Sequence, residues 1–276
     1  MNYKTILVHL SDSRRAENLL GPAMQLAARH NAHLLGLHVY SSLPTPPEPL
    51  QSTAFDSIVA CERKNSDVIA ETFKRMTANQ PFVAEWQLEK VPHVDLAPLV
   101  IERGRTADLI VTGQADPDWK LAPLLDFPER LALESGRPVL VVPYAGRFLR
   151  FGRRVVIAWK AGREAARAAF DALPLLQYAE AVHVLEVKER ANAASTLGPD
   201  TSIAAALARH AIKPVVQTSI AADIKVGDEI LSRLADLDAD LLVMGAYGHS
   251  RFREWVFGGV TRHIARHMTV PTLFSH

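Results

Sequence analysis

The sequence has one cysteine, Cys61, which excludes an intramolecular disulfide and any cysteine-cluster metal site. It has no excess of either charge: 31 Lys plus Arg stand against 30 Asp plus Glu. No global field therefore advertises a nucleic acid or an anionic surface as partner. No apolar run approaches the roughly 18 to 20 residues needed to cross a bilayer, so no membrane is expected as partner. Met1-Asn2-Tyr3-Lys4 leads straight into Ile6-Leu7-Val8 without a signal-peptide pattern, and a cytoplasmic location is the expectation. Also missing are a Walker loop, a Gly-x-Gly-x-x-Gly fingerprint and a Gly-x-Ser-x-Gly nucleophile elbow. These gaps remove the usual signals of a P-loop enzyme, a dinucleotide enzyme and a serine hydrolase.

What is present is a repeat. Ala107-Asp108-Leu109-Ile110-Val111-Thr112-Gly113 is matched by Ala239-Asp240-Leu241-Leu242-Val243-Met244-Gly245. Pro138-Val139-Leu140-Val141 is matched more loosely by Pro271-Thr272-Leu273-Phe274. Lys4-Thr5-Ile6-Leu7-Val8 is matched by Arg153-Arg154-Val155-Val156-Ile157. The front pair is offset by 149 residues and the later pairs by about 132, so the second copy is shorter in its middle. The proline-rich stretch from Leu43 to Leu50 is the expected place of the extra length. Tyr144-Ala145-Gly146-Arg147 reads as a short linker, which divides the chain into 1–147 and 148–276.

Each half alternates strand-like and helix-like segments. Strands are expected near 4–10, 34–40, 82–88, 107–113 and 138–142. Their counterparts fall near 154–159, 181–187, 213–219, 240–245 and 271–275. Helices fit near 14–30, 54–79, 94–104 and 126–135, then near 163–177, 200–210, 227–237 and 258–268. Short continuous β-rich runs suit strands covered by helices on both faces. The alternation implies two tandem α/β domains, each a doubly wound, five-stranded parallel sheet flanked by helices. The halves should superimpose and pair through their edges as an intramolecular pseudo-dimer, with homo-oligomers left open.

In such sheets ligands settle beyond the carboxyl ends of the strands, where the strand order reverses. At that place in the second half, Gly245 ends a strand, Gly248 follows after two intervening residues and Gly258 after nine more. Glycine permits unusual turns and close backbone approach. Gly258-Gly259-Val260 then opens a helix, whose free N–H groups favour an anion such as phosphate. Three spaced glycines are equally compatible with a bare strand-to-helix connection.

The spacing Gly245-x2-Gly248-x9-Gly258 resembles the nucleotide-binding signature of the universal stress protein family. The resemblance extends over nearly the whole chain as two tandem copies, including the Ile6-Leu7-Val8 and Pro138-Val139-Leu140-Val141-Val142-Pro143 strands. It implies a binding or signalling module in the stress response, without catalytic residues. ATP or another adenine nucleotide is the ligand implied for the second half. No metal is expected beyond magnesium carried by the nucleotide. The alternatives are an ATP-binding member with slow hydrolysis and a ligand-free structural adaptor.

Carried over by position, the resemblance places Ala158, Trp159 and Lys160 beside the base and ribose. Val187, the apolar position at the end of the second strand, would lie against the base, and Met244 matches the strand that leads into the glycine loop. Gly245, Gly248, Gly258, Gly259 and Val260 would form the phosphate loop, and His249, beside Gly248, could donate to phosphate. Two positions depart from the family pattern. Lys160 stands where an aspartate is usual, and an ammonium cannot accept hydrogen bonds. Gly259 stands where a Ser or Thr is usual, which removes one hydroxyl donor.

The first copy departs further. Gly113-Gln114-Ala115-Asp116-Pro117-Asp118-Trp119 lacks the second glycine, and Asp126-Phe127-Pro128-Glu129 is acidic where phosphate would need the opposite. Ser11 occupies the aspartate position, with Asp12 one residue late. This half is expected to be structural. His263 and His267, four apart, share a helix face. They lack an evident third ligand and read as basic surface rather than a zinc site. Arg251 and Arg253 read either as phosphate neighbours or as solvated surface.

Overall fold

In a computed structural model, residues 2–41, 53–118, 127–189, 201–246 and 259–276 are described, with side chains from 62 onward in the second of these segments. The first half runs β1 (Thr5–His9), α1 (Ala16–His30), β2 (His33–Ser41), α2 (Thr53–Thr77), β3 (Ala84–Val91), α3 (Ala97–Gly104), β4 (Leu109–Gly113), α4 (Pro128–Glu134) and β5 (Val139–Val142). The second runs β6 (Arg154–Ala158), α5 (Arg163–Asp171), α6 (Leu173–Leu176), β7 (Ala181–Glu189), α7 (Ser202–Ala208), β8 (Val215–Ala221), α8 (Val226–Asp236), β9 (Leu241–Gly245), α9 (Gly259–His267) and β10 (Thr272–Ser275). The helix expected over 163–177 is broken at Ala172, because Pro174 lacks the N–H needed to continue it and instead opens α6. The proline-rich stretch 43–50 lies outside the described residues.

All ten strands form one sheet, in the order β3-β2-β1-β4-β5-β10-β9-β6-β7-β8. Within each half the pairs are parallel; at the seam β5 and β10 pair antiparallel, Leu140 opposite Leu273 and Val139 opposite Phe274. Two five-stranded parallel sheets thus fuse along their last strands into a pseudo-dimer within one chain. Val139, Leu140, Leu273 and Phe274 are all buried, so the seam is apolar.

Alternation along the strands feeds two cores. Ile6, Val8, Leu140, Val155, Ile157 and Leu273 face one, under α1, α2, α5, α6 and α7. Leu7, Ile110, Val139, Val156, Leu242 and Phe274 face the other, under α3, α4, α8 and α9. Each core crosses the seam. In α1 the buried Ala16, Leu19, Leu20, Ala23, Leu26 and Ala27 recur at helical spacing, and Asn31 ends the helix with φ of 49°.

The repeated aspartates hold the strand starts. The Asp108 carboxylate accepts the N–H groups of Lys4 and Thr5 at 2.7 and 3.0 Å. The Asp240 carboxylate accepts those of Gly152, Arg153 and Arg154 at 3.0, 2.9 and 2.9 Å. A carboxylate thus satisfies backbone donors where β1 and β6 begin, beside the strand that follows it in the sheet.

Candidate functional site

The strand order reverses at β1 in the first half and at β6 in the second, each flanked by strands that lead away in opposite directions. In the second half this switch point lies at the carboxyl ends of β6 and β9, at Ala158 and Gly245. Ala158 pairs with Leu185 on one side and Met244 on the other. Val155 and Ile157 face the first core, so the alternation puts Val156 and Ala158 on the second. Val187, Met244 and Val260 belong to that same second face. Met244 is buried, while Ala158, Val187 and Val260 are each partly exposed. Four sequence-predicted residues from three strand ends and one helix start are thus brought to one apolar face.

Trp159 does not join them. It packs into the opposite core at 8% exposure, and its backbone N–H donates to the Leu185 carbonyl at 2.8 Å. Its bulk is removed from the crevice, and only its backbone lies at the strand end. Lys160 follows as an exposed side chain with no ion pair among the described residues. Gly259 is exposed, and a Cβ there would meet nothing within 4 Å. Gly248, His249, Gly258, Arg251 and Arg253 lie outside the described residues.

Gly245 is explained by packing. A Cβ at this position would come within 2.5 Å of the Glu164 carbonyl carbon and 2.6 Å of the Ala165 nitrogen. The first turn of α5 therefore lies directly on the end of β9, a contact only glycine permits. Glu164 itself is buried at 8% exposure. Burial pushes its carboxyl up, but hydrogen bonds from Arg163 and from its own backbone N–H, with the nearby His276, hold it below the usual carboxylate range. The His276 Nδ1 lies 2.9 Å from the Ala246 carbonyl and ties the last residue to the same strand end.

The first half is built differently at the matching place. His9 pairs with Leu37 as Ala158 pairs with Leu185, and Thr112 precedes Gly113 as Met244 precedes Gly245. His9, Val39 and Thr112 are all essentially fully buried. The ring of Phe127, just before α4, packs on His9 with centroids 5.2 Å apart. The loop after β1 is tied down as well. Asn65 donates to the Ser11 carbonyl at 3.0 Å and accepts the Ser13 N–H at 2.9 Å. His38 lies 2.6 Å from the Leu10 carbonyl and 3.0 Å from the Ser66 hydroxyl. Asp12 is spent on Arg14, which it pairs at 2.7 Å. The Arg15 guanidinium lies against Gly113 and donates to the Gln114 carbonyl at 2.7 Å. This crevice is filled from within.

His263 and His267 do share a helix face, their ring centroids 4.7 Å apart. The sequence reading missed Asp228, whose carboxylate lies 2.7 Å from His263 Nε2. Gly227 makes that contact possible, since a Cβ there would meet the His263 ring at 2.6 Å. No group of three metal-ligating side chains occurs among the described residues. No helix among the described residues is long and apolar enough to cross a membrane.

Two doubly wound α/β domains, joined through their last strands into one mostly parallel sheet flanked by helices, define a tandem α/β class of protein. The model of the universal stress protein family matches residues 2–143 and again 153–276, and the chain belongs to that family. A universal stress protein from Archaeoglobus fulgidus superimposes with TM-score 0.73 at 16% identity, over 98% of this chain and 95% of its own. A universal stress protein from Pseudomonas aeruginosa gives TM-score 0.60 at 15% identity, over 99% of this chain and 93% of its own. A universal stress protein in complex with cAMP covers 52% of this chain and 100% of its own, with 21% identity and TM-score 0.33. No curated protein matches the chain.

Proposed function

We propose that the second domain binds one adenine nucleotide and that the chain is a non-catalytic binding and signalling module of the stress response. The observation that carries this reading is the partly exposed apolar face made by Ala158, Val187 and Val260 over the buried Met244. A flat base lying there loses apolar surface to water, at about 25 cal/mol per Å² buried. The loop from Gly245 to Gly259 and the first N–H groups of α9 would hold the phosphates, because a helix N-terminus favours an anion. Lys160, exposed beside the face, supplies a cation at the rim. Magnesium would enter only with the nucleotide, through phosphate oxygens.

The first domain acts as a built-in partner, its own crevice filled by His9 and Phe127. Titration of the full chain with ATP tests the reading. Wild type should bind, and Ala158→Phe, which covers the base face, should abolish binding without unfolding the protein. Equal heats from both proteins would contradict the assigned site.

A further inference from the structure

We propose that Gln114, in the first domain, is a positioning residue for the ligand helix of the second domain and sets its affinity for nucleotide. The proposal rests on the reading that the start of α9 holds the phosphates. The last four carbonyls of any helix lack donors of their own. In α9 the Ile264 carbonyl is met by the Met268 N–H at 2.8 Å. The next, that of Ala265, accepts a hydrogen bond from the Gln114 side-chain amide at 3.0 Å, across the seam and out of contact with solvent. Gln114 is 1% exposed, and every part of it is held. Its Oε1 accepts the Tyr144 N–H at 3.1 Å, its N–H donates to the Val142 carbonyl at 2.8 Å, and its carbonyl accepts from Arg15 at 2.7 Å.

The arrangement is one-sided. Ala246 occupies the matching place in the second copy, with its N–H donating to the Ser275 carbonyl at 2.8 Å as Gln114 donates to Val142. Its methyl side chain can offer nothing to α4. That helix is finished from within its own domain, where the Ser135 N–H meets the Leu131 carbonyl at 3.1 Å and Arg105 reaches the Glu134 carbonyl at 3.5 Å. A nine-residue helix such as α9 is marginal by itself and depends on what packs and caps it. The first domain therefore supplies the cap that fixes the helix whose other end faces the proposed phosphates.

Gln114→Met keeps roughly the volume and removes both the donor to Ala265 and the oxygen that accepts the Tyr144 N–H, a contact within the first domain. Amide hydrogen exchange of ligand-free protein should rise several-fold within 259–267 and stay unchanged in α4. ATP affinity should fall roughly three- to ten-fold, the worth of one buried hydrogen bond. Arg105→Met, which uncaps α4 instead, should leave ATP affinity as in wild type. Unchanged exchange in α9, unchanged affinity, or an equal loss from Arg105→Met would overturn the proposal. If wild type itself gives no ATP signal, the nucleotide reading fails and the proposal with it. If wild type binds and Gln114→Met binds equally well, this inference alone fails. Should Gln114→Met not fold, Gln114→Ala installs the residue the second copy already carries there, and the same comparison applies.

Discussion

His9 and Phe127 meet ring to ring, 5.2 Å between centroids, at the strand ends where the first domain would otherwise open. Both His9 ring nitrogens are buried without a hydrogen-bond partner among the described residues, an arrangement that only a neutral imidazole tolerates. Burial, with the nearby His38, pushes the His9 pKa down to about 3. Burial likewise takes His30 to about 4.

A pH prediction follows from the sign of these shifts. In the unfolded chain both imidazoles take a proton near 6.5, while in the folded protein they resist to about 3 and 4. Between those limits the unfolded state binds more protons, so stability is full above pH 6.5 and falls as pH drops. Each such proton contributes up to about 1.4 kcal/mol per pH unit. Denaturant melts at stepped pH should show a shallower acid loss for His9→Leu than for wild type. Parallel profiles would mean that His9 is not held neutral.

Gly245 separates structural from ligand roles. Gly245→Ala would drive a methyl group into the Glu164–Ala165 backbone and lift α5 from β9. Overpacking of this kind costs about 1 to 3 kcal/mol, read as a lower denaturation midpoint in ligand-free protein. Gly259→Ala, with open space around it, should leave the midpoint nearly unchanged. Equal midpoints for the two variants would refute the packing argument.

Lys160 and Gly259 are the two positions at which the resemblance to the nucleotide-binding signature breaks, and each predicts its own effect on the proposed site. Gly259→Ser should restore one donor and strengthen ATP binding by about 1 kcal/mol, several-fold in affinity. Lys160→Asp distinguishes two orientations of the side chain. If Lys160 sits at the ribose, the aspartate strengthens ATP, AMP and adenosine alike; if it reaches phosphate, ATP weakens most and adenosine least. The two substitutions should add unless the loop rearranges. Calorimetric titration of both single variants and the double variant with the three ligands gives the answer.

Most of the fold was legible because the strands are short runs of Val, Ile and Leu, and because the repeat fixed their pairing twice over. The antiparallel registry of Leu140 with Leu273 was less visible, since apolar strands β5 and β10 look alike whichever neighbour they take. The motif Ala-Asp-Leu was recognised as a repeat, but not as two carboxylates that hold the starts of β1 and β6. That role needs residues more than 80 positions away in sequence. At the site, alternation placed Ala158 and Val187 on the crevice face and sent the Trp159 ring into the other core. Its direction depends on the strand continuing its alternation past Ala158, which composition does not specify. In the sequence Gly245 signals a turn or a close approach to a ligand, whereas what approaches it is the backbone of α5. Gln114 was noticed only as part of a degenerate loop, because its partner, Ala265, lies on the other domain.

Native mass spectrometry of the intact chain with ATP tests the central claim most directly. One nucleotide should add to each chain. It should survive Val39→Phe in the filled first crevice and vanish with Val187→Asp in the second. Two nucleotides per chain, none at all, or a single nucleotide insensitive to Val187→Asp would contradict it.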